Sequence, residues 1–224
     1  MAPMGQTILT PFQQSLLDSL SHYPYITKHF FLTGGTALSE FYFHHRFSED
    51  FDLFAVDTFD PKAIMTWLKF AKKATGYTKV EQQAQDNQIT LFLYKTTAEQ
   101  PVKIDFAYFP FEHLGIFKKL GGLNISSVED VTVNKLQAIS TRARSRDYYD
   151  LMLCLEHLKW DSKTLVKNYR LKYDVFLPPE SLTTAYTSVQ QATDLPIFLG
   201  KVDWTTVIDY FLSLARKEKS LILK

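Results

Sequence analysis

The chain has 224 residues, enough for one large or two small domains with a buried core. Its 46% hydrophobic content predicts a folded globular protein, and a net charge of only +1 excludes an overall basic surface for nucleic acid or membranes. One cysteine, Cys154, excludes an internal disulfide, and its apolar neighbours predict a buried, inert thiol in a reducing compartment.

The N-terminal residues carry no sign of a leader or a membrane anchor. They lack a basic region and a long apolar run, and no stretch reaches the roughly 20 apolar residues of a membrane span. We therefore expect a cytoplasmic protein without a membrane partner. Apolar residues at helical spacing then predict an amphipathic helix over residues 10–21.

The most informative stretch covers residues 30–54, FFLTGGTALSEFYFHHRFSEDFDLF. Its pattern predicts a strand at 29–33, a Gly-Gly turn, a helix over about 36–45 and a second strand that carries Asp50 and Asp52. Since a strand alternates its side chains, the two aspartates share a face and the apolar residues between them point into a core. Neighbouring carboxylates repel each other, and a divalent metal ion offsets that repulsion.

A third carboxylate lies further along the α/β half. A helix with an Asp60 cap is expected from Pro61 to Gly76, followed by antiparallel strands at 88–95 and 102–109. Asp105 lies in the middle of the later strand and points away from its core face. Asp50, Asp52 and Asp105 are therefore candidate ligands for one or two Mg²⁺ ions, with Asp105 alternatively a general base. The competing interpretation makes all three solvent-facing strand residues.

The turn of Gly34, Gly35 and Thr36 follows a strand and opens a helix. Its backbone N–H groups are placed to receive phosphate oxygens, and glycine permits the close approach. Because one short helix returns the chain to a neighbouring strand, we expect the turn and the carboxylates to face one pocket. Ser48 shares the face of Asp50 and is a candidate phosphate ligand. The alternative is an ordinary strand–helix turn.

After about residue 115 the pattern becomes helical. Ser127 with Asp130 resembles a capping box for a helix to about residue 141, further helices are expected at 147–158 and 204–218, and breaks fall at Pro178–Pro179 and near Pro196. Lys135 is a candidate phosphate contact, and Asp147 would either hold Lys135 or Arg146 in place or contribute near the metal. The alternative is a solvated charged face.

The basic run of Arg142, Arg144 and Arg146 either meets RNA phosphates or is simply solvated. Zinc-protease, P-loop and nucleophile-elbow motifs do not occur in the sequence. Zinc hydrolysis, P-loop NTP hydrolysis and serine-hydrolase chemistry are therefore not expected.

Taken together, these residues resemble a known family. The run FLTGGTALSEFYFHHRFSEDFDLF is similar to the first motif of the AbiEii/AbiGii nucleotidyltransferase-like toxins, which include the mycobacterial MenT proteins. The later VEDVTVNKLQAISTRARSRDYYDL resembles their lysine-bearing helix and Arg-Asp-x-x-Asp motif. The matching positions are Gly34, Gly35, Thr36, Arg46, Ser48, Asp50 and Asp52 in the first motif and Lys135, Arg146, Asp147 and Asp150 in the second.

The resemblance implies an α+β, polymerase-β-like nucleotidyltransferase fold, with a small mixed sheet flanked by helices. We expect the α/β core at residues 1–115 and a helical region packed on it at 116–224. The implied activity is Mg²⁺-dependent transfer of a nucleotide from an NTP to an acceptor. Some relatives modify tRNA acceptor ends and are neutralised by an antitoxin protein.

Two other functions stay open from the sequence. A non-catalytic nucleotide-binding module with the same fold would bind NTP without turnover. A glycosyltransferase would also use Asp-x-Asp, although the Gly-Gly-Thr turn fits it poorly.

Overall fold

The computed structural model describes residues 7–96 and 98–222. Residues 1–6, on which part of the leader prediction rests, lie outside these ranges. By its internal contacts the chain divides into two compact units, Met1–Phe111 with Ile116–Ser126 and Glu112–Gly115 with Ser127–Lys224. No helix in the described ranges combines the length and the hydropathy of a membrane span.

The first unit contains a seven-stranded mixed sheet and its helices. The helices are α1 (Pro11–Ser21), α2 (Pro24–His29), α3 (Gly34–Leu38), which continues as a π-helical turn (Ser39–Phe43), and α4 (Pro61–Thr75). The strands are β1 (Phe31–Thr33), β2 (Asp50–Ala55), β3 (Lys79–Gln85), β4 (Gln88–Tyr94), β5 (Val102–Tyr108), β6 (Lys118–Leu120) and β7 (Leu123–Ile125). Their order in the sheet is β3-β4-β5-β2-β1-β7-β6, with β2 parallel to β5 and β1 parallel to β7.

Strand alternation decides which sheet face becomes the core. Along β2, Phe51, Leu53 and Ala55 are buried, whereas Asp50, Asp52 and Phe54 are only half-buried. The buried face packs with the apolar stripes of α1 and α4 into one hydrophobic cluster. The opposite face is therefore left for polar chemistry.

Caps fix the ends of α4 as predicted. Asp60 accepts a hydrogen bond from the Lys62 N–H at 2.9 Å, Pro61 occupies the first turn, and Gly76 ends the helix in a left-handed conformation. The antiparallel pairing of β4 with β5 is also confirmed.

Several elements of the first unit differ from the sequence prediction. The sheet gains β3, a mostly exposed edge strand without apolar alternation, and residues 24–29 form a short helix for which the sequence pattern predicted no element. The helix expected at 36–45 begins earlier, at Gly34, and changes to π-helical geometry at Ser39. Residues 116–126, expected in the helical region, belong to the sheet because β7 pairs with β1.

The second unit is helical. It comprises α5 (Val128–Ile139), α6 (Ser145–Leu158), α7 (Ser162–Tyr173), α8 (Pro179–Thr187) with a 3₁₀ turn (Ser188–Gln191), and α9 (Trp204–Ile222). Their apolar faces form a separate core. The Ser127 cap on Asp130 N–H, at 3.1 Å, is confirmed. Cys154 is buried as expected, and burial raises the pKa of its thiol to about 12.

Candidate active site

The three candidate carboxylates lie on one face of the sheet. Asp52 pairs in register with Asp105 on the neighbouring parallel strand β5, and Asp50 precedes Asp52 by two residues on the same face. Strands in a sheet lie about 4.8 Å apart, so Asp52 and Asp105 are immediate neighbours. The row continues to Thr33 on β1, opposite Asp52, and to Thr90 on β4, opposite Asp105.

Asp105 is buried and already held by two donors. Only 6% of the residue is exposed, so it is not the solvent-facing strand residue of the competing interpretation. The Thr90 hydroxyl donates to Oδ1 at 2.6 Å, and the Lys103 ammonium donates to Oδ2. A buried carboxylate requires such partners, because an unpaired charge away from water is costly.

The glycine turn packs directly against Asp52. Gly34 has φ = 74°, a left-handed conformation that glycine adopts without steric cost. A Cβ atom built on it would lie 2.0 Å from Asp52 Oδ2. The backbone of the turn and the carboxylate row therefore form a single site, as the sequence predicted for these two motifs.

The second glycine packs against Arg46. A Cβ on Gly35 would lie 2.2 Å from Arg46 Nη2 and 3.4 Å from Ser48 Oγ. The buried Arg46 donates to the Phe47 carbonyl at 2.9 Å, and the Thr36 hydroxyl donates to Ser48 Oγ at 2.8 Å. Gly35, Thr36, Arg46 and Ser48 thus lie together, and Gly34 precedes them in the same turn.

The oxygen-bearing side chains of the site are of the type that binds a hard cation, although they do not converge on a common point. Among residues 7–96 and 98–222, no three acidic, histidine or cysteine side chains converge as a ready metal site. Three carboxylates on one face of two neighbouring strands nevertheless supply the oxygen ligands that Mg²⁺ prefers. The buried Thr33 Oγ1, on the same face as Asp52, has no hydrogen-bond partner in the described protein and is a further oxygen for an ion or its water.

The candidates of the second motif lie in the second unit and pair with one another. Lys135 is buried, and its ammonium lies 2.7 Å from both Asp147 Oδ1 and Asp150 Oδ2. Asp147 Oδ2 accepts from Arg142 Nε and Nη2 at 3.0 Å each. The expected contact between Asp147 and Lys135 is present, and the second basic partner of Asp147 is Arg142 rather than Arg146.

These contacts define the charge state of Asp147. Burial by itself would raise the pKa of Asp147, but the charges of Lys135 and Arg142 lower it below its ordinary value, against an opposing effect of Asp150. Asp147 is therefore an ionised partner at neutral pH. Lys135 is committed to buried ion pairs and does not belong to a solvated charged face, whereas Arg142 pairs with Asp147 from a half-exposed position.

Three supporting residues were not among the predicted site residues. Lys103 was detectable, because residues two apart on a strand share a face, but it was not assigned a role. Thr90 depends on the register of β4 against β5, which no local pattern fixes. Gln13 on α1 donates to the carbonyl oxygens of Ser48 and Glu49, at 2.9 and 3.3 Å, and so fixes the approach to Asp50.

Comparisons with known proteins identify relatives of this chain. The family described as "Nucleotidyl transferase AbiEii toxin, Type IV TA system" matches residues 15–219. The chain is also similar to the uncharacterized protein aq_aa25 of Aquifex aeolicus, with 30% identity over 159 residues, covering 66% of this chain and 68% of that protein.

Two solved structures have a similar fold. JHP933 from Helicobacter pylori superposes with a TM-score of 0.59 at 19% identity, covering 92% of this chain and 88% of that one. MenT4, the nucleotidyltransferase toxin Rv2826c of Mycobacterium tuberculosis, gives a TM-score of 0.59 at 19% identity, covering 93% and 84%. With the mixed sheet, these likenesses confirm the expected polymerase-β-like α+β fold. Since the family match spans nearly the whole chain, the protein belongs to the AbiEii family of nucleotidyltransferase toxins.

Proposed function

We propose that this protein transfers a nucleotide from an NTP to an RNA acceptor in a Mg²⁺-dependent reaction. It would act in the cytoplasm as the toxin of a toxin–antitoxin or phage-defence pair. The observation that carries the proposal is the packing of Gly34 against Asp52, because it joins a phosphate-binding turn to a row of carboxylates.

Asp50, Asp52 and Asp105 would hold the metal. When bound, Mg²⁺ neutralises the triphosphate and the charge that develops on its phosphate oxygens during transfer. The half-buried positions of Asp50 and Asp52 leave both side chains accessible to an ion. Asp105 either completes the ligand set or accepts the proton of the attacking hydroxyl.

The turn would bind the triphosphate. The first N–H groups of a helix have no partner within it, so Gly34 and Gly35 present donors beside the metal ligands. Arg46 and Ser48 lie against Gly35 and add a positive charge and a hydroxyl there. Thr36 holds Ser48 in position and also contacts the Asp50 carbonyl oxygen.

Lys135 and Asp147 are proposed as the remaining functional pair. Lys135 would contact phosphate as a compact charge, and Asp147 with Asp150 would fix its ammonium. The buried pairing in the second unit supports a fixed orientation for this lysine, whichever ligand it contacts.

The acceptor and the protein partner follow from the family. Since the family consists of toxins of type IV toxin–antitoxin systems, we propose a cognate antitoxin as partner. A tRNA acceptor end is the proposed RNA target, and the exposed Arg144 beside the second motif is a candidate contact for its phosphates.

The direct test is to incubate the protein with each labelled NTP and total RNA, with Mg²⁺ or with EDTA. We expect RNA to be labelled only with Mg²⁺, and Asp50→Ala to abolish labelling and growth inhibition on expression. Asp86→Ala, in the exposed β3–β4 turn, is the matched control and should keep both activities. NTP binding without labelling of any acceptor would instead favour the non-catalytic module.

A further inference from the structure

The side chain of Lys103 pairs with one carboxylate oxygen of Asp105. It donates to Asp105 Oδ2, on the sheet face that also carries Asp50 and Asp52. Lys103 is itself the register partner of Asp50. One ammonium therefore pairs with a member of the carboxylate row.

We propose that Lys103 is a built-in competitor of the divalent metal, which must displace its ammonium from Asp105 to complete the site. The proposal rests on the function proposed above, because it assumes that these carboxylates bind Mg²⁺. An ammonium and a divalent ion repel each other, so both cannot occupy Asp105 Oδ2 closely at the same time.

The other contact of Asp105 can persist in both states. The Thr90 hydroxyl donates to Oδ1 at 2.6 Å, while Lys103 contacts only Oδ2. A carboxylate has about four lone-pair sites, so Thr90 does not prevent a ligand from binding at Oδ2. Thr90 thus keeps the carboxylate oriented while the cation at Oδ2 is exchanged.

Lys103 also has room to leave. Its side chain is 34% exposed, compared with 9% for the side chain of Asp105. Lys103 lines a cavity of about 1240 Å³ together with Ser48 and Asp50. The flexible four-carbon stem allows the ammonium to turn into this cavity without moving the strand.

Because Asp105 is nearly buried, exchanging its cation affects the metal affinity of the site. A nearly buried carboxylate is stabilised by a neighbouring cation. Removing that cation leaves an unpaired buried charge, which is costly and favours the binding of another cation. Without the ammonium, the three neighbouring carboxylates would bind a divalent ion more tightly. Displacing the Lys103 ammonium costs free energy, so the natural protein binds the metal more weakly than it would without this lysine.

The test compares the metal affinity of Lys103→Met with that of the wild type. Methionine keeps the apolar stem and removes the charge. Binding to the nucleotide-free protein is measured by titration calorimetry with Mg²⁺. A second titration with Mn²⁺ is monitored by electron paramagnetic resonance. We expect an affinity increase of about tenfold for Lys103→Met, the change that corresponds to weakening a partly buried charge contact.

Lys79→Met is a closely matched control. Lys79 also pairs with a carboxylate two residues further along its strand, at 2.5 Å from Glu81, but on the exposed edge strand β3. Its loss should leave metal affinity unchanged. The double variant Lys103→Met with Asp105→Asn should bind metal no better than Asp105→Asn alone, because the competition requires the Asp105 carboxylate.

If the wild type binds Mg²⁺ and Lys103→Met binds it equally well or more weakly, the competition proposal is overturned. The proposed metal function would then still stand, because the wild type binds the ion. Weaker binding would mean that Lys103 positions Asp105 for the ion. Absence of binding in both proteins would overturn the metal-dependent function and the competition together. Circular dichroism and thermal unfolding in EDTA verify that each variant is folded, and Lys103→Gln provides a second uncharged variant.

Discussion

Gly34 and Asp52 occupy adjoining space: a methyl group on the glycine would lie 2.0 Å from the aspartate's Oδ2. Two motifs separated by a helix in the sequence are therefore one structural feature. Glycine is therefore needed at position 34 for two reasons: it permits the conformation of the turn, and it leaves space for the Asp52 carboxylate.

Gly34→Ala should consequently remove activity as well as some stability. The left-handed φ of 74° alone costs a non-glycine residue about 1–2 kcal/mol, and the clash displaces Asp52 in addition. Gly76→Ala is the control: its φ is 63°, but its nearest contact is the flexible end of Lys95 at 3.4 Å. Both variants should lose stability in urea unfolding, whereas only Gly34→Ala should lose RNA labelling and Mg²⁺ binding. Equal activity of the two variants would contradict the assignment.

Thr90→Val should weaken the site without unfolding the protein. Valine keeps the shape of threonine but removes the hydroxyl that holds Asp105 Oδ1 at 2.6 Å. Loss of such an orienting partner typically lowers metal affinity or activity about 10–100-fold. Thr78→Val, whose exposed hydroxyl contacts the Tyr94 carbonyl at 3.2 Å, should leave transfer rates unchanged. A Thr90→Val protein with wild-type rates would show that Asp105 needs no orientation.

The ion pair of Asp130 and Lys172 should stabilise the second unit. Lys172 lies 2.5 Å from Asp130 Oδ1, both are buried, and the carboxylate also accepts from Ser127 and from the Leu114 and Gly115 N–H groups. Burial would raise the pKa of Asp130, but the Lys172 charge and these donors lower it, so the aspartate stays ionised. Burial also lowers the pKa of Lys172, against the attraction of Asp130.

Lys172→Met therefore leaves a buried carboxylate without its cation. We expect a loss of about 3–5 kcal/mol in the free energy of unfolding, the usual cost of breaking a buried pair from one side. Urea denaturation followed by fluorescence measures it. The exposed Lys79→Met should show no comparable loss, and an equally small effect of both variants would mean that the buried pair contributes nothing.

Acid should destabilise the protein through Asp147. Its pKa is lower in the folded protein than in the unfolded chain, so the folded state binds fewer protons. This contribution to stability is present above an ordinary aspartate pKa of about 3.9 and is lost as the pH falls towards the lower folded value. In unfolding measurements from pH 6 to pH 3, Asp147→Asn should show a shallower decline than the wild type. Parallel curves would contradict the lowered pKa.

Sequence periodicity anticipated the parts of the site that depend on local rules. Alternation along a strand placed Asp50 with Asp52 and turned Asp105 to the face opposite Ile104, and both follow from a period of two. The caps of α4 and α5 depend on residues next to the helix ends, so Asp60 and Ser127 were recognisable as well.

Non-local pairing produced what the sequence did not predict. The contact between Thr90 and Asp105 needs the register of two strands, and β7 joins the sheet by pairing with β1, about ninety residues earlier in the chain. The edge strand β3 has exposed polar residues where a half-buried strand would alternate. The packing of Gly34 on Asp52 was expected only as a shared pocket, since atomic contact depends on the assembled sheet.

The most direct measurement of the central claim uses two forms of one labelled NTP with RNA and Mg²⁺. Nucleotidyl transfer moves the α-phosphate to the acceptor and releases the β- and γ-phosphates as pyrophosphate. The account predicts that the α-label appears on RNA, that the γ-label does not, and that Asp52→Asn abolishes labelling. Labelling of RNA by the γ-phosphate, or undiminished α-labelling by Asp52→Asn, would contradict it.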